Sequence, residues 1–148
     1  MIGIIAIIVS LIALAYAGYL SMKIMKIKPG TEKMQEIANA IKEGAMAYMA
    51  RQYKTIAIFA IIITILLFWL FNIPIATGFL FGAILSGISG YIGMSIAVRA
   101  NVRTAQTAKK GIKEALSVAF QGGAVTGMAV VGLALFAISV FYTIFKDP

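Results

Sequence analysis

The sequence predicts an all-α membrane protein with four transmembrane helices, and three observations predict it. Apolar residues make up 61% of its 148 positions without counting 14 glycines, while charged residues make up 12%, about half the share found in a soluble domain. The charges are confined to short segments that separate uncharged stretches at residues 2–22, 55–98 and 115–145. One apolar crossing needs about 20 residues, so the middle stretch is too long for one span and about right for two. There is no His and no Cys, which removes disulfides, thiol nucleophiles, zinc sites and His-based proton transfer from this chain.

The first span is residues 2–22. Ala13, Ala15 and Ala17 offer the small-residue spacing of a secretory cleavage site, but nothing basic precedes the apolar run; Lys23, Lys26 and Lys28 follow it instead. A signal peptide has the opposite order. After the breaker Pro29-Gly30, Thr31 is a candidate N-cap, with Glu32 in the first turn where a negative charge suits the helix dipole. Met34, Ile37, Ile41, Ala45 and Tyr48 recur at three- and four-residue spacing, and Lys33, Glu36, Lys42 and Glu43 lie mostly off that face. This is an amphipathic cytoplasmic helix over residues 31–54, expected to continue into a second span at 55–71. The alternative is a helix lying on the membrane surface with a kink at Gly44.

Asn72, Ile73 and Pro74 interrupt the long middle stretch. Pro74 lacks a backbone donor and suits the first turn of the next helix, giving a tight hairpin and a third span at 75–98. The fourth span is 115–145. Orientation follows from the cations: residues 23–54 and 99–114 hold 12 of the 13 Lys and Arg, and the 72–74 turn holds none. The positive-inside rule places both basic segments in the cytoplasm and both termini outside. The net charge of +8 is thus assigned to an anionic membrane surface and not to nucleic acid, for which the aromatic interleaving and fold signatures are absent.

Gly78, Gly82, Ser86 and Gly90 repeat every four residues on the third span, beside a second small stripe of Ser89, Gly93 and Ala97; Ala119, Gly123 and Gly127, with Gly122 and Gly132, repeat the device on the fourth. Small residues let helix backbones approach closely in lipid. The Ile- and Leu-rich first and second spans are expected to face lipid, and the glycine-rich pair to be buried against protein. Two stripes on each of two spans exceed what four helices cover, which points to a larger bundle. No Asp, Glu, Lys or Arg lies inside a span, whereas pumps and proton relays carry an ionisable group at membrane depth. Span hydroxyls such as Ser10, Thr64, Ser89 and Ser139 are expected to bond back to their own helices.

Three segments carry a family resemblance: IANAIKEGAMAYMARQYK over 37–54, GYIGMSIAVRANVRTA over 90–105 and ALSVAFQGGAVTGM over 115–128. Within them Glu43-Gly44-Ala45, Tyr48, Arg51-Gln52-Tyr53, Gly93-Met94, Ala100-Asn101-Val102-Arg103-Thr104 and Gly122-Gly123-Ala124 resemble the N-terminal part of the membrane-integral, ion-pumping inorganic pyrophosphatases. The resemblance implies a homodimer in a cell membrane, each subunit a bundle of about sixteen helices with both termini outside. It also implies hydrolysis of magnesium pyrophosphate on the cytoplasmic side, coupled to export of H+ or Na+, with K+ as a further possible cofactor.

In that family the Mg2+-binding carboxylates and the phosphate-holding cations lie on later helices, and this chain does not contain them. Asp147 is its only Asp, at the far end on the expected outer face. Glu32, Glu36 and Glu43 run along one helix at spacings suited to pairs with Lys33 and Lys42. No catalytic, cofactor-binding or metal-binding residue is therefore assigned. Arg99 and Arg103 are read as cytoplasmic anchors and inter-helix loop contacts. The chain is expected to be the scaffold portion of a longer pump and inactive alone; the alternative is a non-enzymatic four-span scaffold or split subunit.

Overall fold

A computed structural model describes residues 2–145 as four helices: α1 (Ile2–Met25), α2 (Glu32–Leu70), α3 (Ile73–Ala108) and α4 (Ile112–Phe145). All four are long and apolar enough to cross a membrane. Asp147 and Lys146 lie outside the described residues. α4 is the centre of the packing, with α3 on one side and α1 on the other; α1 touches α3 lightly, and α2 packs on α3 alone.

Local chemistry sets the helix ends. The Thr31 hydroxyl accepts from the Met34 N–H at 3.4 Å and so caps α2. From there α2 runs without a break at Gly44 to Leu70, one helix of 39 residues, or about 58 Å. That is well beyond the hydrocarbon thickness of about 30 Å, so part of α2 stands outside it. The Asn72 side chain accepts from the Ile75 N–H at 3.1 Å and Pro74 occupies the first turn of α3, which makes the hairpin tight. Exposed Phe68, Trp69 and Phe71 cluster at this end, where aromatic rings suit a membrane interface.

At the other end, residues 99–108 are helical as part of α3, and the connection to α4 is reduced to Lys109, Lys110 and Gly111. Nothing between Arg99 and Ala108 breaks a helix; Gly111, at φ +148°, does.

Small residues decide the packing of α1, and this corrects the expectation that α1 is chiefly lipid-facing. Gly3, Ser10, Ala17 and Ile24 repeat every seven residues, and Ser10, Ala17, Leu20 and Ile24 are buried. Opposite them α4 buries Val118, Gly122, Val125, Ala129, Gly132 and Ser139, a three-and-four alternation that keeps one seam facing its neighbours. A Cβ on Gly132 would stand 3.0 Å from Leu14 and 3.4 Å from the Ser10 carbonyl oxygen, so the helices approach closely there. Near the basic ends, Ala17, Leu20, Ile24, Ile96, Ala100 and Val125 form the core where α1, α3 and α4 meet. α2 buries only Met49.

The α2–α3 contact has a fixed register. The Tyr53 hydroxyl donates to the Gly87 carbonyl at 2.9 Å, and a Cβ on Gly90 would meet that hydroxyl at 2.9 Å. Tyr53 is thereby level with the middle of α3. The uncharged run of α3 continues to Val98, so its end and that of the α2 run, at Thr55, differ in height by roughly 20 Å.

Candidate functional site

The chemistry-bearing side chains gather at the basic end, where α1 stops, α2 begins and α3 turns into α4. The described glutamates make no metal site there. Glu36 accepts from Lys33 at 3.0 Å in an exposed pair one helical turn apart, Glu32 sits in the first turn of α2 and Glu114 in that of α4. Among the described residues no group of three or more Asp, Glu, His or Cys side chains could hold a metal ion. The described residues do not fit a Mg2+ cluster, which needs several converging oxygens.

Several hydroxyls inside the helices donate back to their own backbone. Ser10 donates to the Ile7 carbonyl at 2.7 Å, Ser89 to Ser86 at 2.8 Å, Thr64 to Ala60 at 2.7 Å and Thr143 to Ser139 at 2.7 Å. Ser10, Ser89 and Thr64 thus bond back to their own helices as expected, while the buried Ser139 enters this set only through its backbone carbonyl.

Arg103 is the most constrained cation. Its Nε donates to the Ile27 carbonyl at 3.0 Å and its Nη1 to the Arg99 carbonyl at 2.7 Å, so this guanidinium ties the α1–α2 connection to α3. That is the loop contact expected of it. Arg103 lies beyond the uncharged run that ends at Val98; burial, and then the neighbouring Arg99 charge, lower its pKa from the ordinary value. An arginine so placed keeps its proton at neutral pH. Sequence reasoning missed the convergence of Lys42, from α2, with Arg99 and Arg103 around one pocket of about 280 Å3. The signal was hidden because Lys42 is more than fifty residues away along the chain, and only the α2–α3 register brings the two segments together.

The small-residue stripes divide between two uses. Gly93 faces Thr126, Gly122 faces Ala100 and Gly78 faces Phe141, each leaving a Cβ no more than about 3 Å. Gly82, Gly123 and Gly127 have nothing within 4 Å of an added Cβ, and Ala119, Gly123 and Gly127 form an exposed stripe along α4. Next to it Ala97, Asn101, Thr104 and Gly123 line an open cleft of about 430 Å3 between α3 and α4. On α4 one stripe is therefore used within the four-helix unit and another is left open, whereas on α3 both stripes make contacts, Gly78 and Gly90 on one and Gly93 on the other.

Four long apolar helices, charges confined to their ends and close-packed glycine seams define a multi-pass α-helical membrane protein. Residues 11–148 match the family model described as inorganic H+ pyrophosphatase, and the chain belongs to that family. It is 53% identical over 139 residues to a K(+)-insensitive pyrophosphate-energized proton pump of Methanosarcina mazei, covering 93% of this chain and 21% of that protein. A second relative, the K(+)-insensitive pyrophosphate-energized proton pump 2 of Moorella thermoacetica, is 48% identical over 89% of this chain and 20% of its own length. A Clostridium tetani protein, provisionally named a K(+)-stimulated pyrophosphate-energized sodium pump, is 44% identical over 83% of this chain and 18% of its own length. The chain thus spans about a fifth of the length of these curated relatives.

Proposed function

We propose that this chain works as the N-terminal scaffold of a pyrophosphate-energised ion pump, supplying peripheral helices to a larger bundle and no catalytic group. The observation that carries this reading is the 53% identity across 93% of the chain set against 21% of the relative. The open glycine stripe on α4 supports it, because a stripe of that kind is where further helices would dock. Pyrophosphate hydrolysis requires neutralisation of a highly charged anion and an activated water; the described glutamates are dispersed, so Mg2+ and any K+ would be held by residues beyond these helices. The whole pump would export H+ or Na+, relatives named for each being similar to this chain. It would assemble as a homodimer in the cell membrane, with the basic segments in the cytoplasm and both termini outside.

The test compares the purified 148-residue chain with a full-length pump that contains it, both reconstituted in lipid with Mg2+ and pyrophosphate. Phosphate release by the long protein and none by the short one is the expected result. Metal-dependent turnover by the short chain, surviving a control for contaminating soluble enzyme, overturns the scaffold reading. If the longer assembly is also silent, the non-enzymatic four-span scaffold takes its place.

A further inference from the structure

The pocket where α1, α2 and α3 come together is lined by three cations and no carboxylate. Lys42, Arg99 and Arg103 face it with the amide of Asn39, above an apolar floor that includes Met25 and Val98. Glu36 and Glu43, the nearest acids along α2, are not in its lining, and the one ion pair among the described residues is Lys33 with Glu36. Arg99 and Arg103 are one helical turn apart, a like-charge spacing that costs stability when nothing neutralises it. The fold nevertheless holds Arg103 in place on the Ile27 and Arg99 carbonyls. That uses two of its donors and leaves the rest of a five-donor guanidinium fork for something else. A planar fork, a second guanidinium and an ammonium around one cavity suit a tetrahedral oxyanion, since charge-assisted bonds to phosphate are among the strongest such groups make.

We infer that this pocket binds a phosphoryl oxyanion. Its position at the cytoplasmic ends of α1 and α3 leaves two sources for the same chemistry: the headgroup of an anionic phospholipid or phosphate from solution. The inference is independent of the scaffold reading, because it concerns this chain's own side chains and is read by binding, not by turnover.

Two arms distinguish the sources. In the first, orthophosphate is titrated into the chain in phosphatidylcholine nanodiscs and followed by 31P NMR. In the second, the chain is taken from nanodiscs containing phosphatidylglycerol and phosphatidylcholine, and retained lipid is counted by native mass spectrometry. The test variant combines Lys42→Gln with Arg99→Gln, two exposed side chains that hold none of the tethers; the control combines Lys33→Gln with Lys110→Gln, which removes the same charge outside the pocket. Helicity by circular dichroism confirms that both fold.

Saturable orthophosphate binding, weakened about tenfold or more in the test variant and retained in the control, supports the site with a solution source. One phosphatidylglycerol retained per chain and released by the test variant alone supports it with a leaflet source. Binding in neither arm, or equal losses in the test and control variants, overturns the inference.

Discussion

Gly132→Leu should pull α1 away from α4, and the structure sets the size of the effect. A Cβ at Gly132 would be 3.0 Å from Leu14 Cδ2 and Cγ and 3.4 Å from the Ser10 carbonyl oxygen. Two effects oppose one another. Replacing a helix-interior glycine gains up to about 1 kcal/mol of helix propensity, with Ala and Leu nearly alike. Against that gain, the single methyl of Ala meets a flexible leucine tip that yields by a few tenths of an ångström, so Gly132→Ala should come out near neutral. The isobutyl group of Leu must displace Leu14 and press on the Ser10 backbone, and overpacking of that kind costs about 1–3 kcal/mol. The net expectation for Gly132→Leu is a loss of about 1–2 kcal/mol, close to a tenfold shift in equilibrium. The native chain has no cysteine, so dyes on cysteines introduced at Lys23 and Glu114 would report α1–α4 separation by energy transfer during SDS titration. Gly127→Leu, with nothing within 4 Å, is the control and should match or exceed the wild-type midpoint. A Gly132→Leu midpoint equal to wild type, or a Gly127→Leu loss as large, would refute the close-approach argument.

Single cysteines at Lys28 and Lys109 should react with impermeant thiol reagents from the cytoplasmic side only, and one at Phe71 from the opposite side only; reaction of all three from one side contradicts the proposed orientation. Tyr53→Phe removes the hydroxyl from the Gly87 carbonyl and should cost about 0.5–1.5 kcal/mol, seen as faster amide exchange in α2 around that residue with α1 and α4 unchanged. Gly111→Ala forces a side chain onto φ +148° and should lower stability by at least about 1 kcal/mol, measured by the same SDS titration; an unchanged midpoint would remove the glycine requirement at the α3–α4 turn.

Much of this architecture could be read from the residues, because membrane helices announce themselves by uncharged length, and because Thr31, Gly30 and the 72–74 turn carry ordinary cap and turn chemistry. Partner choice was less legible. The four-residue glycine stripe on α3 drew attention to Gly82, where an added Cβ would have room, while the seam that organises α1 against α4 follows a seven-residue repeat of Gly3, Ser10, Ala17 and Ile24. An isoleucine-rich sequence masks such a seam, since its small residues are sparse and each looks accidental alone. The basic pocket was hidden for a different reason: hydropathy fixes which residues gather at the basic end but says nothing of the register that brings Lys42 to Arg99.

The Tyr53–Gly87 register has a mechanical consequence for the bilayer. Along the flank formed by α2, the uncharged belt of residues 55–71 is about 25 Å tall, whereas along α4 the belt of residues 115–145 is about 46 Å tall. No flat slab of hydrocarbon matches both, so the four-helix unit is a wedge. Alone in a membrane it has to tilt, thin the bilayer beside Arg51 and Lys54, or thicken it beside α4, each at a cost that grows with every ångström of mismatch. The tall side is also the one that leaves Ala119, Gly123 and Gly127 uncovered, so adding protein against that face relieves elastic strain in the lipid as well as filling the glycine groove.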